Sequence, residues 1–456
     1  MLEQYLEQLH SADASERRAA LEYLQEFSCE EPVIEAASYL LTDADRGVRE
    51  AASRLLVLCS NEKAASLTAA HISSGNIAVR NLAGDVLVRM KSAAVNTLLT
   101  YIGSADKDVR KFAIDILAQL PANPAATTKI AERLNDIDPN VVCAAVDAIG
   151  ALQAEEYIGV LLDLYDKFEY VKQHVIYAVA KIPQKVSLAF LERALSDENP
   201  VVQLAAAEAL AGRKDKNLLN VLLQKLDSIS DLAKPVLLYS IVRLLESTDY
   251  PDVLPSELKK HLLKMLDDTD PVYVRAAIRG LKHFVDDRVL LTLIEHVGKA
   301  ESIDGAIFNT LKDHFETAVS LILKSSTIKS KTSPLIKMLL SLIQTHAEKN
   351  PAFVESQTIE EVVSFISTKF PELDADTKIT VISTCRYIGS KYSTKMVEAA
   401  LEDPDSSVKI FALDLAAEIG PQFFIRQLQQ LSKDYDEDIR IMASTMLNGL
   451  NSGYRD

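Results

Sequence analysis

From Val274 the chain places apolar or small side chains at +3 (Ala277), +4 (Ile278) and +7 (Leu281), the spacing that lines one face of an α-helix. Just upstream, Asp270 offers an acceptor to the free N–H groups of a starting helix. Pro271 follows where a fixed φ and a missing N–H cost nothing. Before that turn, Leu258, Leu262, Leu263 and Leu266 make a second helical stripe. The segment therefore predicts helix, short acidic turn, helix, a pair too narrow to bury both of its faces without neighbours.

The same pattern recurs along the chain, with positions equivalent to Val274 at Glu16, Val48, Val79, Val109, Val142, Val171, Val202, Ala233, Asp304, Ile336, Lys378, Val408 and Ile439. Most steps are about 31 residues, a period that marks a stacked repeat rather than one closed core. Clear copies keep the full rule: Ala51, Ala52, Leu55 and Leu56 follow Val48, and Phe112, Ala113, Ile116 and Leu117 follow Val109. The +4 residue is mostly Ala, which lets paired helices approach closely.

Aspartates precede the second helix of many copies, among them Asp106, Asp138, Asp270 and Asp438. A basic residue follows the anchor at Arg49, Arg80, Arg110, Arg275 and Arg440. This Asp-turn then Val-Arg pattern resembles HEAT repeats over nearly the whole chain, particularly the short bacterial form seen in phycobilin lyases. The resemblance implies an all-α, right-handed α-solenoid of about 14 stacked helix pairs. It also implies that the turn Asp and helix Arg bond within and between neighbouring units, and it points to no single activity, because one fold serves many tasks.

Two steps are longer and carry extra turn residues, around 247–255 and 350–358. The run Lys324–Pro334 is rich in Ser, Thr and Lys. The expected organisation is a regular array over 1–323, a hinge or long turn at 324–334, and further repeats over 335–456.

Composition agrees with many helices and short turns: 48% of the 456 residues are hydrophobic, yet there are only 14 Gly and no Trp. The formal charge of -16 disfavours a nonspecific grip on nucleic-acid phosphates or an anionic membrane surface. The N-terminal stretch lacks the pattern of a secretory signal, and no apolar run is long enough to span a membrane, so a soluble, cytoplasmic protein is expected. Cys29, Cys59, Cys143 and Cys385 stand far apart along the chain, which suggests neither a disulfide framework nor a zinc site.

The search for chemistry finds no HExxH, GxSxG or GxxxxGK[ST] spacing, and no His pair with metal-ligand spacing; no catalytic residue, metal or cofactor is expected. Two constellations remain. Positions +5 and +6 of the second helices point away from the helix–helix core and carry Glu22, Asp85, Asp115, Asp147, Glu208 and Asp414, with Arg54 and Arg279 as basic exceptions. In a solenoid this face is commonly the concave binding surface. An acidic groove there suits a basic segment of a partner protein; a solvated polar face explains the same residues. The second constellation is aromatic: Tyr165, Phe168, Tyr170, His174 and Tyr177 gather in one copy. Such a cluster anchors partners or planar ligands, or simply fills space that Ala leaves elsewhere.

The leading expectation is a noncatalytic protein-binding scaffold or adaptor. The resemblance to phycobilin lyases implies an alternative, a carrier that holds a tetrapyrrole while it joins an acceptor Cys. A HEAT-type DNA-alkylation glycosylase is a third reading, opposed by the acidity and the missing Trp.

Overall fold

A computed structural model describes residues 2–182, 187–211, 218–247, 253–325, 332–350, 356–387 and 390–452. Among them helix follows helix and no strand occurs. The chain forms two compact units, Met1–Arg213 with Asp227–Lys234, and Lys214–Leu226 with Pro235–Asp456. Of the expected hinge at 324–334, residues 326–331 lie outside the described residues.

In the first unit the pairs include Glu31–Leu40 with Arg46–Cys59, Glu62–Ala69 with Ile77–Met90, Val95–Tyr101 with Lys107–Leu117, Pro124–Glu132 with Pro139–Ala151, and Ile158–Lys167 with Lys172–Ala180. Each second helix packs on the next, and the early first helices do the same. The second unit repeats the scheme through Pro271–Leu281, Glu301–Leu311, Thr332–Lys349, Ala375–Thr384, Ser406–Ile419 and Glu437–Ser452. Each unit is thus an α-solenoid.

The apolar spine follows the predicted rule. Val48, Ala52, Leu55 and Leu56 are fully buried, and Val79, Val109, Val142, Val274 and Val408 sit in the same kind of core position. Helix starts are fixed by side-chain caps: Asp45 accepts from Val48 N, Asp106 from Asp108 N, Asp138 from Asn140 N and Asp270 from Val272 N. Each such cap contributes about 1 kcal/mol. Close approach of second helices reaches its limit at Gly150, where an added Cβ would lie 2.5 Å from the Ala178 Cα.

Two copies are displaced by one residue from the sequence reading. Asp304 is half-buried, and the buried set is Ile303, Ile307, Thr310 and Leu311. Likewise Thr377, not Lys378, occupies the anchor position, because Lys378 acts as the basic residue that follows it. At the last copy Asp436 is the turn acceptor, taking hydrogen bonds from Asp438 N and Ile439 N, while Asp438 already lies inside helix Glu437–Ser452. In the first copy Glu16 is exposed, and burial begins at Ala20 and Leu21.

Candidate functional site

The acidic turns perform two separate tasks. In Asp-x-Asp turns the second acid caps the helix, and the first accepts the backbone N–H of the second: Asp45 N to Asp43, Asp138 N to Asp136, Asp405 N to Asp403 and Asp436 N to Asp434. That first acid also receives the basic side chain of the preceding copy. Arg17 reaches Asp43 at 2.8 Å, Arg110 reaches Asp136 at 2.7 Å, Lys172 reaches Asp197 at 2.9 Å, Lys378 reaches Asp403 at 2.7 Å and Lys409 reaches Asp434 at 2.8 Å. The expected Asp–Arg bonding therefore occurs, but the bridging acids differ from several named in sequence. Asp106, Asp138 and Asp270 are caps, although Asp138 also receives Lys107 at 3.1 Å.

Arginine does more here than lysine can. Arg110 Nη1 donates to the carbonyls of Ser104 and Ala105 in its own turn, while Nε and Nη2 grip both carboxylate oxygens of Asp136 in the next. The planar fork spans two turns at once. Burial pushes the Asp136 carboxyl up, but the bonds from Arg110 and the Asp138 N–H outweigh it and hold the acid below its ordinary range. Arg49 and Arg440 make only the carbonyl half of this contact. Arg275 donates to Ser302 Oγ at 3.2 Å. Arg80 is half-buried and has no ion pair among the described residues. Gln203 is an uncharged version, donating to the Asp197 carbonyl and accepting from Ser230 N.

The stripe at +5 and +6 is more mixed in charge than its acids alone suggest. Arg54 and Arg18 each lie 3.8 Å from Glu22, Arg89 lies 3.9 Å from Asp85, and Lys111 lies 2.7 Å from Asp115. Several contacts join neighbouring second helices: His174 to Asp147 at 2.9 Å, the Tyr177 hydroxyl to Glu208 at 2.6 Å, and in the second unit Arg279 to Glu246 at 2.8 Å. Asp414 is exposed. All these groups are exposed or half-buried.

The aromatic cluster separates into three places. Tyr165 is buried; its hydroxyl donates to Asp197, and its ring packs edge-on against Phe190. It borders a cleft of about 590 Å³ with Glu169, Lys172, Arg193 and Asp197. Phe168 and Tyr170 form an exposed pair with ring centroids 5.5 Å apart. His174 and Tyr177 belong to the second-helix stripe. The hydrogen bond to Asp147, then contact with Cys143, raise His174 to about 10 against the opposing effect of burial, so it is an imidazolium at neutral pH.

Sequence reading missed two features. In the second unit a cleft of about 540 Å³ is bordered by Asp304, Phe308, Pro334, Lys337 and Asp374. Burial pushes the Asp374 carboxyl up, but hydrogen bonds from Ser333 and Thr377 and the charge of Lys337 hold it at about 2. In the first unit Cys29 and Cys59, read as distant, lie side by side. No group of three or more His, Cys, Asp or Glu suited to a metal ion occurs among the described residues, and no helix there is long and apolar enough to cross a membrane.

The fold and these contacts define a class, an all-α solenoid in which several helix pairs are joined from turn to turn. More particularly, residues 95–168 and 160–234 match the family model for HEAT repeats. Among solved structures the chain is similar to a homology model of the full-length AP-3 complex in an intermediate open conformation, with 13% identity and a TM-score of 0.46 over 96% of this chain and 95% of that one. It is similar to a crystal structure of importin beta, with 12% identity and a TM-score of 0.47 over 96% of this chain and 70% of that one. It is similar also to Kap95p as seen with RanGDP, with 12% identity and a TM-score of 0.45 over 100% of this chain and 72% of that one. Among curated proteins, no sequence matches.

Proposed function

We propose that the protein is a noncatalytic binding scaffold whose second-helix stripe receives a basic segment of a partner protein. The observation that carries this reading is the placement of ionic side chains at positions +5 or +6 of the second helices, Glu22, Arg54, Asp85, Asp115 and Asp147. The apolar residues of those same helices are committed to the spine. A partner segment laid along the stripe meets one charged group per repeat, about one contact every helix diameter. The chain's -16 charge steers a basic segment toward it before contact.

The test is charge reversal within the first unit. Asp85→Lys with Asp115→Lys lowers capture of a natively bound partner roughly tenfold, since two contacts of about 0.7 kcal/mol each are lost. Glu132→Lys, on a first helix, leaves capture unchanged. Equal capture by the double variant and the parent, with both showing the same thermal unfolding, removes this reading.

A further inference from the structure

Two thiols one repeat apart meet at the same end of neighbouring helix pairs. Cys29 lies in the turn before helix Glu31–Leu40, and Cys59 is the last residue of helix Arg46–Cys59. The Cys29 Sγ is 3.7 Å from the Cys59 carbonyl oxygen, and burial together with the adjoining Cys29 thiol pushes the Cys59 thiol up. Cys29 is exposed and Cys59 half-buried. The other two cysteines have different surroundings. Cys143 faces the Tyr170 carbonyl at 3.8 Å and also touches His174, with no second cysteine beside it among the described residues, and Cys385 is buried.

We propose that Cys29 and Cys59 form a dithiol site which a small-molecule disulfide oxidises to an intrachain bond, tying two successive inter-repeat turns together. The Cys29 thiolate attacks one sulfur of the oxidant, forming a mixed disulfide and releasing one thiolate. The Cys59 thiolate then attacks the Cys29 sulfur and expels the second. The protein gives up two protons and two electrons, and the oxidant is reduced to two thiols. The order follows from access, because Cys29 is exposed and Cys59 half-buried. Burial, then the neighbouring Cys29, push the Cys59 thiol up to about 12, so it is the slower nucleophile; a neutral mixed disulfide at Cys29 removes the second of those effects. The bond closes a loop of about one repeat and ties the turn before helix Glu31–Leu40 to the turn after helix Arg46–Cys59.

The experiment uses the full chain with glutathione disulfide at neutral pH, followed by alkylation under denaturing conditions and peptide mapping without reductant. The expected result is a peptide containing Cys29 linked to one containing Cys59. Free thiols fall from the four cysteines of the sequence to two, with Cys143 and Cys385 alkylated. Cys59→Ser instead holds Cys29 as the glutathione adduct, and Cys143→Ser changes nothing. The proposal is overturned if the parent chain accumulates the Cys29 adduct with Cys59 free. Dimers linked through Cys29, or both thiols still alkylated after oxidation, overturn it equally.

Discussion

The junction between Arg110 and Asp136 and those that follow Arg49 and Arg80 begin from the same basic residue and end differently. Arg110 closes on a carboxylate that is almost fully buried, with side-chain exposures of 9% and 3% for the pair. The corresponding first turn positions after Arg49 and Arg80 are Ser74 and Ser104. These serines still accept the N–H groups of Asn76 and Asp106, each at 3.2 Å, so the turn keeps its shape and the next helix its cap. What disappears is the anion. Shaping the turn requires only an acceptor, whereas the two-pronged grip of an arginine on the next turn requires the anion; between Arg49 and Ser104 that grip is missing, and neighbouring copies are held by apolar packing of their second helices and by contacts elsewhere such as Lys63 with Glu31 and Glu35.

The largest break in this comparison is Arg110→Ala, which leaves the buried Asp136 with the weaker Arg133 contact at 3.4 Å and the Asp138 N–H as its remaining partners. A loss of roughly 3 kcal/mol is expected in urea unfolding, the scale of an uncompensated buried charge. Arg110→Lys loses less, because Lys172 and Lys409 show that an ammonium reaches the equivalent acid. Next is the converse experiment: Ser74→Asp supplies the missing anion opposite Arg49 and raises stability by about 0.5–1 kcal/mol, a gain that salt reduces.

The smallest effect concerns a second stitch, on the stripe, between His174 and Asp147. Because the folded value is raised from 6.5 to about 10, the contribution of His174 is complete below pH 6.5 and is lost as pH rises through about 10. His174→Gln is therefore destabilising at pH 7, by less than about 1 kcal/mol given the half-exposed pair. The parent and variant converge above pH 10 in thermal unfolding curves.

Much of the fold was legible because burial repeats at +4, +7 and +8 from the clear anchors Val48, Val79, Val109, Val142 and Val408, and Val48, Val109 and Val408 have no competing neighbour. The reading slipped by one residue at Asp304 and Lys378 for a physical reason. Ile303 and Thr377 offer the same downstream apolar spacing, and the sequence alone does not distinguish the buried anchor from the basic position after it. The ladder was half visible. Turn aspartates stand out in the sequence, but the division of labour within Asp-x-Asp depends on backbone hydrogen bonds that a composition pattern does not show. On the stripe, the cations four residues beyond Asp85 and before Asp115 were present in sequence and were not weighed against the acids. The nearness of Cys29 and Cys59 was also readable, since their separation is close to one repeat period, and residues one period apart become neighbours in a stack.

A double-mutant cycle tests the stitched-repeat account most directly. Arg110→Ala, Asp136→Ala and the double variant are compared by urea unfolding, alongside the same cycle at Arg49 and Ser74. The account predicts a coupling of about 2 kcal/mol for Arg110 with Asp136 and a coupling within about 0.5 kcal/mol of zero for Arg49 with Ser74. Equal couplings at the two junctions, or none at Arg110, would contradict it.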